Sequence, residues 1–270
     1  MATLLQIAHL PRSSYYYHAA QLPRLEKHVP ERQAICKICT EHKGRYGYRR
    51  VTLTLRQRGY QTNHKLVMKL MREEQLSCEL RPKKYRSYRG EIGKVAPNRL
   101  NRHFRAEQPN TKWATDITEF KVNGQKLYLS PILDLFNSEI VSYSLSKTPD
   151  FGLVMDMLQQ AFRKIPDHGA LMLHSDQGWH YQMKPYRRML KEKGITQSMS
   201  RKGNCYDNSV IENFFGLLKT EFFRNQSFSS VEVFQEELDE YITYYNNSRI
   251  KVKLKGLSPV QFRTQSFVST

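Results

Sequence analysis

The spacing of apolar positions divides the chain into two unlike parts. Between residues 31 and 75 it follows a helical period and predicts three short helices, about Glu31 to Glu41, Gly47 to Arg58 and Asn63 to Gln75. Gly59 stops the second, and Thr62 or Asn63 caps the third. Leu66, Val67, Leu70 and Met71 give the third helix an apolar face, which leaves Lys65, Lys69 and Arg72 on the exposed side. Before this unit, Ala2 to Leu10 predicts a short helix, and Pro11 to Tyr17 a turn into another. After it, Arg81 to Arg105 has neither helical nor strand period and reads as an extended basic linker.

Beyond Asn110 the period shortens. Trp113 to Val122 and Lys126 to Leu135 are β-rich runs joined by Asn123-Gly124, a pair suited to the positive φ values of a tight hairpin turn. Glu139 to Leu145 predicts a third strand, Asp150 to Ile165 a helix, Ala170 to Ser175 a fourth strand, Lys184 to Glu192 a helix and Ile195 to Ser198 a short fifth strand. From Asn208 to Lys219 the pattern is an amphipathic helix, with Ile211, Phe214, Phe215, Leu218 and Phe222 on one face and Glu212, Gly216 and Lys219 on the other. Asp207, Asn208 or Ser209 can cap it. Ser229 to Glu232 reads as a capping box that opens a helix to about Tyr245. The divisions are 1–80 helical, 81–108 basic linker, 109–228 mixed α/β core, and 229–270 a C-terminal helix and basic tail packed on that core.

Charge adds a partner to this outline. The formal net charge is +18, and residues 1–108 hold 23 Lys and Arg against 8 Asp and Glu, while residues 109–270 hold 20 against 17. The positive field belongs to the first part, as in a polyanion-binding module joined to a nearly neutral catalytic one. The three helices resemble a helix-turn-helix module. Its last helix, bearing Lys65, Lys69 and Arg72, would enter the major groove, with Arg45, Arg49 and Arg50 on the backbone. A basic bundle that binds phosphates alone is the competing reading.

Four cysteines, Cys36, Cys39, Cys78 and Cys205, are too sparse for a disulfide scaffold. Cys36 and Cys39, preceded by His9, His18 and His28, invite a zinc reading. The plainer one is that Ile35, Ile38 and Cys39 form the core face of a helix. No apolar run approaches membrane-spanning length and no leader is visible, so a cytoplasmic home and no membrane partner are expected.

Three acids stand out from this frame. Asp116 interrupts a β-rich run, Asp176 ends the strand Leu171-Met172-Leu173 in the turn His174-Ser175-Asp176-Gln177-Gly178, and Glu212 rides the late helix with Lys219 roughly 10 Å further along its axis. Asp134 also lies in an apolar run, near its end, where a turn-capping role is expected. His174 reads as a packing or hydrogen-bonding group.

The order Asp, Asp, thirty-five residues, Glu, with Lys seven positions later, resembles the retroviral-integrase-like DDE transposases, and within them the catalytic reading frame of a bacterial insertion sequence. Thr115-Asp116-Ile117-Thr118, Tyr206-Asp207-Asn208, Glu212-Asn213-Phe214-Phe215 and Leu257-Ser258-Pro259 carry the same resemblance. It implies a ribonuclease H-like mixed-sheet catalytic core preceded by the all-α DNA-binding domain. Asp116, Asp176 and Glu212 would then be the catalytic residues and hold two Mg²⁺ ions, with Mn²⁺ able to substitute. The reaction implied is 3′-end cleavage followed by strand transfer. Lys219, Lys202, Lys83 and Lys84 would touch DNA, alongside the helical-unit cations. The implied partners are double-stranded DNA of the terminal repeats and the target, and a homodimer or higher oligomer on paired ends. Relatives of this kind also use a partner from an upstream reading frame. Two other classes use the same residues: a metal-dependent nuclease or resolvase, and a DNA-binding repressor with an unreactive core.

Overall fold

The computed structural model describes residues 5, 7, 11–21, 28–78, 95–165, 170–224 and 226–268. The chain forms two compact units, Met1–Cys78 and Glu79–Thr270. The predicted helix Ala2 to Leu10 lies largely outside the described residues, as does most of the basic linker with Lys83 and Lys84.

In the first unit α1 (Arg12–Gln21) is followed by α2 (Val29–Glu41), α3 (Tyr48–Gln57) and α4 (His64–Glu73). The last three match the predicted helices. Their core is Ile35, Ile38, Cys39, Val51, Leu55, Val67, Leu70 and Met71, so Cys39 takes the core place its spacing predicts. The Asn63 side chain caps α4 by accepting from the Lys65 N–H at 3.0 Å. Arg32 of α2 ties down the end of α4 through Glu73 and Glu74.

The second unit is built on one mixed sheet. β1 (Lys112–Thr115) and β2 (Thr118–Val122) both pair antiparallel with β3 (Gln125–Asp134), which pairs on its other edge with β4 (Ile140–Ser146). β5 (Met172–Ser175) runs parallel to β1, and β6 (Thr196–Met199) parallel to β5. The spatial order is therefore β4, β3, β1 with β2, β5, β6, the ribonuclease H-like arrangement. Asn123 and Gly124 both have positive φ, as the hairpin between β2 and β3 requires.

One predicted strand is broken. Thr115 pairs with Ile132 and Thr118 with Leu129, a single register that sets Asp116 opposite Pro131. Proline offers no N–H, and the Ile117 N–H turns to the Asp116 Oδ1 at 2.8 Å instead of a ladder partner. Trp113 to Val122 is thus two strands with an acid at the gap.

Both sheet faces are covered. Trp113, Ile132 and Leu173 pack with α5 (Phe151–Phe162) and α7 (Lys184–Glu192), which follows the short α6 (Trp179–Gln182). Ala114, Phe120, Leu129 and Leu133 pack on the opposite face with α8 (Ser209–Leu218) and α9 (Val231–Asn247). The capping residue of α9 is Ser230, which accepts from the Val233 N–H at 3.2 Å. The expected cap Ser229 lies one residue too early. Nor does α8 have a side-chain cap, because Asp207 and Asn208 are spent on other contacts.

A π-helical turn, Lys219–Phe223, continues α8, and over it Thr220, Glu221 and Phe222 all face inward. Arg249 grips Glu221 with Nε at 2.7 Å and Nη2 at 2.6 Å, and the Tyr241 hydroxyl donates to the same carboxylate at 3.1 Å. This pair pins the segment after α9, which leads into α10 (Pro259–Val268). Lys251 of the basic tail donates to the Tyr245 hydroxyl at 2.8 Å. Removing one partner from a buried pair strands the other charge. Arg249→Met should therefore cost about 3–5 kcal/mol in urea unfolding, and a loss under about 1 kcal/mol would mean that water reaches Glu221.

Candidate active site

Register brings the first two acids together. Lys112 pairs with Met172, Trp113 with Leu173 and Ala114 with His174, so two steps further along the same parallel pair Asp116 stands level with Asp176. Adjacent strands lie roughly 4.8 Å apart, and residues level in a parallel pair point to the same face. Alternation names that face: Trp113 packs with α5 and α7, and Ala114 with α8 and α9. Asp116, two residues beyond Ala114, therefore points toward α8. That helix buries Ile211, Phe214, Phe215 and Leu218 against the sheet and leaves Glu212 half-buried at the edge of the same face.

The pair is electrostatically unfavourable as it stands. Burial pushes the Asp116 carboxyl well above the usual carboxylate range, and Asp176 and then Glu212 push it further, against one hydrogen bond from the Ile117 N–H. Asp176 is raised by burial as well, while the Gly178 N–H, 2.8 Å from its Oδ1, and His180 hold it down in part. The two titrate as a pair. Gly178 has to lack a side chain, since a Cβ there would sit 2.9 Å from the Asp176 Oδ1 and 3.3 Å from the Tyr181 ring. The buried Tyr181 phenol is held neutral, by burial first and then by both aspartates, so it adds no third negative charge.

Three carboxylates on one face are hard oxygen donors and suit Mg²⁺ or Mn²⁺. Asp116 and Asp176 stand level on that face. Glu212 is near enough to raise Asp116, yet among the described residues no three acid, His or Cys side chains stand together at metal-holding distance. The donor chemistry of these carboxylates fits a divalent cation.

The other expected site residues are placed as follows. Lys202 is exposed on the loop before α8. Lys219 begins the π-helical turn, with its ammonium 5.5 Å over the Phe120 ring; desolvation lowers its pKa, and Glu119 partly restores it. Arg49, Lys65, Lys69 and Arg72 are exposed on the first unit, with Lys69 3.7 Å from Glu73. Arg45 and Arg50 are half-buried, and Arg50 donates to the Arg45 carbonyl at 3.1 Å and lies 5.1 Å from the Tyr46 ring centre. Asp134 caps a turn as expected, accepting from the Asn110 and Phe136 N–H groups, and burial raises its pKa to about 6. His174 is a buried hydrogen-bonding group, 2.9 Å from the Ser198 hydroxyl, with its pKa pushed down to about 4 by burial.

Asp207 is the residue that sequence reasoning undervalued. It reads there as one of three capping candidates, but it is a fully buried carboxylate that accepts from Arg102, Arg201 and Asn98. Its neighbour Asn208 reaches the Thr115 carbonyl at 3.5 Å, beside Asp116. The advance signals are the Tyr206-Asp207-Asn208 motif and an acid beside Asn at the start of an apolar helix, and the second is also how a plain cap looks.

Residues 106–205 and 212–267 each match a family described as Integrase core domain, and residues 28–85 match one described as HTH-like domain. The chain is 53% identical over 265 residues to InsK of insertion sequence element IS150 of Escherichia coli K12, a protein named as a transposase; the match spans 98% of this chain and 94% of that one. It is 33% identical over 273 residues to the transposase InsF of IS3A from the same organism, spanning 98% and 93%. Among solved structures it is similar to the HTLV-2 integrase catalytic core domain in complex with magnesium, with a TM-score of 0.47, 17% identity, and 59% of this chain and 99% of that one covered.

The raised carboxyls carry a pH signature. An acid whose folded pKa lies above its unfolded value of about 4 stabilises the fold in acid, and that contribution is lost as pH rises through the folded pKa. In chelator, Asp116→Asn should therefore be more stable than the parent chain at pH 7, with the difference closing as the pH falls toward about 4. Urea midpoints of the two chains that coincide at both pH values would show that the pair is solvated.

Proposed function

The chain belongs to the family of insertion-sequence transposases built on an integrase core domain, and on that premise we propose that it cuts the 3′ ends of its element and joins them to target DNA at Asp116, Asp176 and Glu212. The observation that carries this reading is the level pairing of Asp116 and Asp176 on neighbouring parallel strands, facing the helix that bears Glu212. Asp116, Asp176 and Glu212 are the residues that would hold divalent cations. Two Mg²⁺ ions, or Mn²⁺ in their place, would supply the charge that activates the attacking oxygen and stabilises the leaving 3′ oxygen.

The rest falls to the chain's own residues. The Ile117 and Gly178 N–H groups each hold one carboxylate oxygen and so aim the other outward. Tyr181 and the packed face beneath exclude water from below. Lys219 and Lys202 take phosphates of the strand being cut, and Lys83 and Lys84 those of the flanking duplex. The helical unit reads the element's ends: α4 presents Lys65, Lys69 and Arg72 to the major groove, and Arg45, Arg49 and Arg50 serve the backbone on the α3 side. Two ends must be held at once, so the working form is a homodimer or higher oligomer on paired terminal repeats, acting on chromosomal DNA in the cytoplasm.

Asp176→Asn should leave binding to the DNA flanking the reading frame within about twofold. It should lower both cleavage and strand joining by roughly a hundredfold or more, since even an outer partner of a metal site acts on that scale. A gel assay with Mg²⁺ on labelled ends reads both steps. Retained joining by this variant would remove Asp176 from the site, and cutting without joining by the parent chain would make it a nuclease.

A further inference from the structure

The mechanism above does not use the arginines around Asp207. The Asp207 side chain is 0% exposed, and its two oxygens accept five hydrogen bonds: at Oδ1 from Arg102 Nε at 2.8 Å and Arg201 Nη2 at 2.9 Å, and at Oδ2 from Asn98 Nδ2 at 2.9 Å, Arg201 Nε at 2.8 Å and the Arg201 N–H at 3.1 Å. A carboxylate has about four lone-pair sites, so this one is saturated and has no capacity left for a metal ion. Arg201 outweighs the cost of burial and, with Arg102, holds the acid ionised well below the usual carboxylate range.

One negative charge thus anchors two positive ones, and the arginines are not themselves buried. Arg102 is 46% and Arg201 53% exposed, and a guanidinium carries five N–H donors in a rigid fork. Arg102 also lies 5.8 Å from the ring centre of Tyr206, a tyrosine 63% exposed with no packing reason to be outside. The cluster adjoins the catalytic aspartates. The Ser200 N–H bonds the Ser175 carbonyl at 2.9 Å and Gln177 donates to the Ser200 carbonyl at 3.0 Å, which fastens the residue before Arg201 to both neighbours of Asp176.

We propose that Arg102 and Arg201, held by the buried Asp207, form a preorganised fork for one backbone phosphate of the DNA strand entering the active site, with Tyr206 packed on the adjoining nucleotide. Bidentate guanidinium geometry matches phosphate, the net charge of the cluster is positive, and ordering the arginines in advance removes the entropy that free surface cations lose on binding. Lys202, the expected DNA contact of this loop, is then the neighbour of the principal contact. The inference rests on the DNA-transposase reading.

The test is the salt dependence of binding by the full chain to a duplex from the DNA flanking its reading frame, followed by fluorescence anisotropy between about 50 and 200 mM salt. Arg102→Gln and Arg201→Gln should each weaken binding roughly 3- to 10-fold and lower the slope of log K against log salt by about 1, which a purely structural role would not do. Tyr206→Ala leaves the Asp207 bonds untouched and keeps the test open if a Gln variant melts early. It should bind roughly 5-fold more weakly at unchanged slope. Parent-like affinity and slope in both Gln variants, or parent-like affinity in Tyr206→Ala, overturns the fork. A parent chain without affinity for the duplex overturns the DNA-binding reading itself.

Discussion

The catalytic unit depends on two like charges being held level on adjacent parallel strands. Nothing in a hydrophobic core favours that, and the fold enforces it through the β1–β5 register, the proline opposite Asp116 and a glycine where any Cβ would strike Asp176. The sheet supplies the repulsion, and a divalent cation is the natural relief for it. Fold and function conflict at this point, and the surrounding core of Trp113, Ile132, Leu173 and the aromatic face of α8 holds the structure against the strain.

Comparison with the other buried acids of this unit sharpens the assignment. Asp207 is saturated by two arginines, an asparagine and a backbone N–H; Glu221 is gripped by Arg249 and Tyr241; Asp134 takes two backbone N–H groups in a turn. Each has the partners that a buried charge requires. Asp116 shows one backbone N–H and otherwise feels Asp176 and Glu212, and Asp176 shows one backbone N–H with only His180 as a favourable charge. The acids that hold the fold together and those proposed for the chemistry are thus separated by their partners, although all of them lie in apolar surroundings.

Much of this was legible along the chain because it rests on local period. The stripe Ile211, Phe214, Phe215 and Leu218 fixed the face of α8, Asn123-Gly124 fixed a hairpin, and Asn63 fixed the start of α4. What escaped depends on partners distant in sequence. The break at Asp116 and Ile117 follows from Pro131 on another strand, and Asp207 is held by Arg102 and Asn98 from far upstream as well as by Arg201. The α9 cap was misplaced by one residue because Ser229 and Ser230 are chemically alike and only backbone geometry chooses between them. Asp116, Asp176 and Glu212 are proposed as a set from resemblance of order and spacing, since no one of them alone points to the other two.

The most direct measurement is anomalous diffraction from crystals of the full chain grown on its end DNA with Mn²⁺. Manganese should lie between the carboxylates of Asp116 and Asp176, with Glu212 from α8 in the same coordination shell. Manganese held elsewhere, or a Glu212 carboxylate that stays out of that shell while the crystals remain competent to cut, would contradict the assignment.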